Sequence, residues 1–478
     1  MPWLLSLRER TSLHQNSDGR LVFESPFVRL VVDEGICSPL AVLADEPAGE
    51  EALLEQIGRS RGFHAVARFH FHLRRLVERG IIVRSSHQDG HPLATVIPIA
   101  PAFCFPAAAV VSGHRYVMSR FAFVHTVGGQ AVLESPLSHA RVLLHDWRAA
   151  ALIHAFAQPR EPAPVDEMIP GLSPEAAIST LRLLIAAGMM LDADGGGPAA
   201  EDGGSLGSWE FHDLLFQTRS RDGRHDLPCG TTYAQAETMP PLPVVKSVTS
   251  GSFVDLPRPD MGRLEREDPP FARVSEERVS IREYAAEPMS REQLGEFLFR
   301  VARVRKRYAI DIEMPAGAMP LEATSRPYPS GGALYALEIY PVVQACRNVA
   351  AGLYHYDPLE HRLARLREMT PEVAGLVEHA AGCTGATAKE IQVLLVFSAR
   401  FQRVSWKYSG LAYSLILKDV GVLQQSMYLA ATAMGLAPCA LGGGNSDLFA
   451  RAAGTDYYAE TSVGEFLLGS RRDDAVVP

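Results

Sequence analysis

Six cysteines in 478 residues (Cys37, Cys104, Cys229, Cys346, Cys383 and Cys439) never fall into a C-x-x-C spacing. That leaves neither a disulfide framework nor a zinc knuckle to organise the chain. Positive charge is short as well: 46 Lys and Arg against 55 Asp and Glu give a net charge of −9, which argues against bulk attraction to nucleic acid or an anionic membrane. No apolar run approaches the roughly 20 residues that cross a bilayer, and the apolar run in the opening MPWLLSLRERTSLHQ is too short for a signal peptide. A cytoplasmic protein with reduced thiols is expected. No G-x-G-x-x-G opens a helix, so a Rossmann dinucleotide site is not indicated. What remains is ordinary globular composition, 47% hydrophobic and 21% charged, with enough length for several packed cores.

The first two hundred residues repeat themselves. GRLVFESPFVRLVV (Gly19 to Val32) and FHFHLRRLVERGIIV (Phe69 to Val83) are answered by GGQAVLESPLSHARVLL (Gly128 to Leu144) and AISTLRLLIAAGMML (Ala177 to Leu191). Each copy runs from strand-like alternation into helices whose last member ends at Gly80 or Gly188 before an apolar run. That order fits a winged helix-turn-helix twice, over 1–100 and 101–192. The second candidate recognition helix, Pro174 to Ala187, carries only Arg182 as a cation, whereas the first has Arg68, Arg74, Arg75 and Arg79. Docking of a peptide, by strand addition or into a groove, suits such surfaces better than phosphate contact. His70 and His72 have no second ligand pair, so they are expected as partly exposed helix residues rather than metal ligands.

Asp192 to Ser208, DADGGGPAAEDGGSLGS, has too little apolar content to fold and is expected to be a linker. Within 193–268, WEFHDLLFQTRSRDGRHDLP suggests one amphipathic helix and PPLPVVKS an extended connector. A catalytic domain is expected from 269 to 478. In it EQLGEFLFRVARV reads as a helix, ALEIYPVVQA and QVLLVFSAR as strands, and Tyr413 to Met434 as a long apolar helix. His355 and His361 flank a YDP turn and are expected to stabilise a hairpin.

Five motifs in order carry a family resemblance: VSIREY (Val279 to Tyr284), RPYPSGGALYALEIYPVV (Arg326 to Val343), GLYHYDPLEHRL (Gly352 to Leu363), WKYSGLAY with GVLQQSMYLAATAMGLAP, and SVGEFLLGSR (Ser462 to Arg471). The stretch from about Pro269 to Arg472 resembles the SagB-type, nitroreductase-like dehydrogenases. Those are the FMN-dependent azoline oxidases of thiazole- and oxazole-forming peptide pathways. The chain is similar also to the cyanobactin oxidases, which carry two N-terminal winged-helix-like peptide-binding modules. The resemblance implies an α+β fold and FMN as cofactor, with reoxidation by molecular oxygen. It also implies an azoline-containing precursor peptide as substrate, the pathway's cyclodehydratase as partner, and a homodimer with FMN at its interface.

On their own chemistry, Arg282, with Arg471 or Arg472, offers bidentate cations for a flavin phosphate. The resemblance places the superfamily's phosphate arginine at Arg282 and adds Arg278. Ser280 either adds a hydroxyl to that phosphate or caps a helix start. Pro329, Ser330, Gly331 and Gly332 allow backbone to approach a planar ring, as do Gly442, Gly443 and Gly444, whose N–H groups could bond it. Gln424 and Gln425 fall at the expected subunit boundary, and Gln425 joins the cofactor set. Turning an azoline into an azole removes a hydride equivalent and a proton from adjacent ring carbons, so a base is needed. A lysine at its ordinary pKa of about 10.4 is a poor base at pH 7, and burial beside aromatic rings is the physical route to a better one. Lys407 after Trp406 is placed for that tuning, with Tyr408 to share or orient the proton; the pair matches the Lys-Tyr motif of azoline oxidases. The alternatives are an NAD(P)H-dependent nitro- or quinone reductase, which would not need Lys407, and a flavin-free peptide-binding scaffold.

Overall fold

The sequence repeat is built as two β-meanders, each followed by helices. One comprises Ser12–Gln15, Leu21–Glu24 and Arg29–Val32, the other Phe123–Val127, Gln130–Glu134 and Ala140–Leu144. The helices Phe63–Glu78 and Pro174–Ala186 end alike: Ile81 N–H donates to the Leu76 carbonyl and Met189 N–H to that of Leu184, across Gly80 and Gly188, the C-terminal cap that a left-handed glycine permits. The computed structural model describes residues 3–18, 20–24, 29–32, 38–106, 109–163, 165–247, 251–314 and 317–472. Gly19 and Ser25 to Val28 of the first repeat, and Cys37, lie outside the described residues.

The chain forms two compact units, Met1–Leu227 and Pro228–Pro478. In the first, the halves share one antiparallel sheet. Its order is Ala48–Gly49, Leu4–Leu7, Ile82–Gln88, His91–Pro98, Ala140–Leu144, Gln130–Glu134, Phe123–Val127, and Ala140 pairs with Pro98 where the two halves meet. Two separate apolar clusters persist beneath it, one with Phe23, Leu53, Phe69 and Leu73 and another with Leu133, Leu152, Phe156 and Leu181.

The expected linker at Asp192 to Ser208 is folded. It contributes the end of the strand Met190–Asp192 and the short helix Gly197–Asp202. Its acids, which make it look unable to bury itself, are each answered by the segment 114–120. His114 meets Asp192 at 2.8 Å and Arg115 meets Asp194 at 2.7 Å. Buried Glu201 accepts from the Ser119 hydroxyl at 2.6 Å and from the Arg120 N–H at 3.1 Å. Pairing offsets the desolvation that composition alone would count against folding. The helix Phe211–Arg219 also belongs to this unit, where Arg219 reaches Glu134 at 3.1 Å and Asp226 receives Arg8 and Arg141. The break therefore falls at Leu227, not along a linker over 193–268.

The second unit is a seven-stranded antiparallel sheet in the order Phe253–Asp255, Arg362–Arg367, Gly352–Asp357, Leu337–Val343, Val393–Arg400, Glu460–Ser470, Leu436–Leu441. VLLVFSAR is apolar almost throughout because it is buried on both faces. Val393, Leu395 and Phe397 join the core beneath the helices Arg291–Ala302 and Ala412–Ala433, while Leu394 and Val396 face Pro371–Gly382 and Ser446–Ala453. His361 secures its hairpin as expected, bonded to the Tyr356 hydroxyl at 2.9 Å and the Pro257 carbonyl at 3.2 Å. His355 instead sits in the core against Glu338 at 3.0 Å. Among the described residues no helix is long and apolar enough to cross a membrane.

Candidate active site

The strand Val393–Arg400 ends in a short helix, Gln402–Ser405, that delivers Trp406, Lys407 and Tyr408 to the start of the long helix. Trp406 is buried and its indole N–H donates to the Met239 carbonyl at 2.9 Å. Lys407 and Tyr408 are half-buried, with Lys407 Nζ 5.3 Å from the Tyr408 ring centre. Both side chains end at Gly332. That residue has φ 62° and ψ 20°, and a Cβ there would lie 2.6 Å from Tyr408 Oη and 3.0 Å from Lys407 Nζ. Only glycine fits both the left-handed backbone and the close approach.

The glycine turn is anchored from the long helix by Asp419, which sequence reasoning did not single out. Its carboxylate accepts from the Ser330 hydroxyl at 2.6 Å and the Gly331 N–H at 3.0 Å, and Ser330 Oγ in turn accepts from the Tyr335 N–H at 3.0 Å. Burial pushes the Asp419 carboxyl above its ordinary range, and these two donors pull it back. The only sequence signal was an acid at the sixth position of a largely apolar run of helix, SLILKDVGVL. Pro329 is exposed.

Farther along the same helix, Tyr428 gathers the second predicted group. Its hydroxyl is 2.7 Å from Ser280 Oγ and accepts from the Ala440 N–H at 2.8 Å, while the Arg278 guanidinium lies 5.2 Å from its ring centre. No helix begins at Ser280, which removes the capping alternative. Ile281 N–H bonds the Pro438 carbonyl and Ala285 N–H that of Ser470, so exposed Arg282 shares an edge with Arg471 and Arg472. Arg472 is turned to Glu283 at 3.0 Å.

The third group forms a recess of about 290 Å³ lined by Gly442, Gly443 and Gly444 with Val420, Gln424, Ser462 and Glu465. Gln424 donates to the Glu465 carbonyl oxygen at 3.3 Å, whereas predicted Gln425 is exposed and does not line it. Glu465 is another residue the sequence did not announce. Its carboxyl packs against the Gly444 α-carbon, where any side chain would collide, and burial pushes its pKa up against the pull of Ser462.

Family models match along most of the chain: the ThcOx helix turn helix domain over residues 1–106, the cyanobactin oxidase ThcOx over 116–226, and the nitroreductase family over 276–469. The chain belongs to the nitroreductase-like oxidoreductases of the cyanobactin oxidase type. Putative nitroreductase MJ1384 of Methanocaldococcus jannaschii is 27% identical over 192 residues, 40% of this chain and 85% of that protein. The microcin B17-processing protein McbC of Escherichia coli is 31% identical over 115 residues, 23% of this chain and 42% of McbC. The trifolitoxin-processing protein TfxB of Rhizobium leguminosarum bv. trifolii is 29% identical over 110 residues, 23% of this chain and 30% of TfxB. The matched part thus spans less than half of each of these two processing proteins. Apart from Arg471 and Arg472, the three site groups of this oxidoreductase fall within the stretch matched as nitroreductase.

Proposed function

We propose that this oxidoreductase oxidises thiazoline or oxazoline rings to thiazoles or oxazoles in a ribosomally made peptide, with FMN as its cofactor. The observation that carries the reading is the convergence of Lys407 Nζ and Tyr408 Oη on Gly332. It sets an amine and a phenol where backbone, not side chain, forms the floor. The residues fit a flavin mononucleotide on two counts. Gly442 and Gly443 face open space in the recess, with nothing within 4 Å of where a Cβ would stand, and Arg278, Ser280 and Arg282 with Arg471 offer cations and a hydroxyl for a phosphate. Asp419 and Tyr428, which anchor the turn and the arginine group, are nine residues apart on one helix, about 13 Å along its axis, so one rigid element sets the spacing of both.

Bound there, FMN supplies the acceptor for a hydride equivalent. Lys407 takes the proton from the adjacent ring carbon, and Tyr408 orients or relays it. The turn Ser330–Gly332, fixed by Asp419, holds the floor against which the heterocycle is positioned. The Met1–Leu227 unit binds the unmodified part of the precursor peptide or the cyclodehydratase, and the protein works as a homodimer. The processing roles that McbC and TfxB carry in their names support this assignment.

Lys407→Ala tests it. Flavin content and the unfolding curve are expected to stay at wild-type values while conversion of a synthetic thiazoline peptide, followed as a loss of two hydrogens per ring by mass spectrometry, falls about 10²–10⁴-fold. An unchanged rate refutes the role of Lys407, and rapid bleaching of the flavin by NAD(P)H with no azoline turnover would favour a nitro- or quinone reductase.

A further inference from the structure

The segment from Pro228 to Lys246 precedes the stretch matched as nitroreductase, yet its first residues are bonded to the Lys407 turn. Gly230 and Thr231 pair as a short strand with Ser409 and Tyr408. The Lys407 carbonyl accepts from both the Thr232 N–H at 3.0 Å and the Tyr233 N–H at 3.1 Å, and Thr232 Oγ1 lies 2.6 Å from Ser409 Oγ. Two successive N–H groups converging on one oxygen require the chain to leave its strand, since N–H groups of an extended chain alternate in direction. Tyr233 takes φ 50° at this point, a conformation that an aromatic residue rarely adopts.

The segment is itself held in place. Arg403 donates to the Leu242 carbonyl at 2.5 Å, Arg400 to that of Pro243 at 2.9 Å, and Arg326 to that of Val244 at 3.2 Å. Lys246 closes the end on Glu460 at 2.5 Å and the Tyr340 hydroxyl at 2.7 Å. All three arginines are buried, so these contacts are desolvated and the segment lies as a fixed strap. The Tyr233 ring meets the Trp406 ring edge to face at 5.6 Å, and burial, then the neighbouring Tyr408 phenol, push its own phenol pKa up.

We propose that Tyr233 is a positioning residue of the Lys407–Tyr408 site. Its N–H and its ring fix the Lys407 carbonyl and Trp406, so that Nζ and Oη reach Gly332. The strap thereby makes residues outside the nitroreductase match part of the active site. This rests on Lys407 acting as the base. The strained backbone at φ 50° is a second observation at the same point, since strain of that kind gathers at functional sites.

The test uses the full-length protein and four variants: Tyr233→Gly, Tyr233→Phe, Lys407→Ala and the Tyr233→Gly/Lys407→Ala double. Tyr233→Gly keeps the N–H and relaxes the backbone but loses the ring; it is expected to lower kcat for the thiazoline peptide about 10²-fold with KM and flavin content retained. Tyr233→Phe keeps the ring and is expected near wild type. In the Lys407→Ala background the glycine change is expected to alter the rate less than about 2-fold, the non-additivity of residues acting as one unit. An activity-free reading comes from an amine-reactive label followed by peptide mass spectrometry: Tyr233→Gly should change the labelling rate of Lys407 several-fold and leave exposed Lys418 as it was. Equal losses from Tyr233→Gly in both backgrounds, or unchanged Lys407 labelling, overturn the positioning role alone. A wild-type rate in Lys407→Ala overturns the base assignment and this inference with it.

Discussion

Replacing Gly332 with alanine puts the proposed site geometry under direct strain. The backbone at φ 62° costs an alanine about 1–2 kcal/mol relative to glycine. The added Cβ would stand 2.6 Å from Tyr408 Oη and 3.0 Å from Lys407 Nζ, where non-bonded atoms prefer about 3.5 Å or more. Tyr408 Oη must retreat by roughly 1 Å and Lys407 Nζ by about half as much, and a misplacement of roughly 1 Å costs about 10²-fold in rate, or about 2.7 kcal/mol of barrier. The expected result is a modest fall in Tm of a few degrees together with a loss of about 10²-fold in kcat on a thiazoline peptide. Gly331→Ala is the control, since its Cβ would meet only the Leu415 side chain at 3.4 Å. Urea unfolding, the flavin absorbance band and initial rates on both variants separate stability from chemistry. A Gly332→Ala enzyme within about 2-fold of wild type, or no slower than Gly331→Ala, refutes the convergence on which the function rests.

Arg282→Ala should weaken FMN binding by about 1.5–3 kcal/mol, the worth of a charge-assisted contact, with unfolding unchanged; equal affinity by fluorescence titration means Arg282 is not the phosphate ligand. Glu465 has its folded pKa raised by burial, so its contribution to stability is complete below the ordinary carboxyl pKa of about 4.3 and is lost as pH rises through the folded value. Glu465→Gln is therefore expected to be more stable than wild type at pH 8, with the gap closing towards pH 4; thermal melts that run parallel across that range would contradict it. Removing Met1–Leu227 should raise KM for a full-length precursor far more than for a short azoline peptide, because remote binding energy is lost, and equal losses on both would assign that unit to support of the fold.

The sequence by itself determined the elements and the chemistry that could be placed on them. Apolar periodicity marked the helix Ala412–Ala433 and the strand Val393–Arg400 almost to their ends, and the repeat marked strand-like alternation followed by helices that end alike at Gly80 and Gly188. Local pattern suffices there because the period of burial is written residue by residue. The motifs around Arg282, Gly332 and Lys407 likewise pointed to the nitroreductase-like family. Tertiary structure alone decided what pairs at a distance. The acids of Asp192 to Ser208 read as unfoldable until His114, Arg115 and Ser119 stand opposite them. Asp419 was one acid in a largely apolar helix until Ser330 and Gly331 met it from 89 and 88 positions away. The proline-rich connector was extended, as its composition says, but its carbonyls are claimed by arginines about 80 to 160 residues distant. Composition counts the cost of burying a polar group; only the folded chain supplies the partner that offsets it.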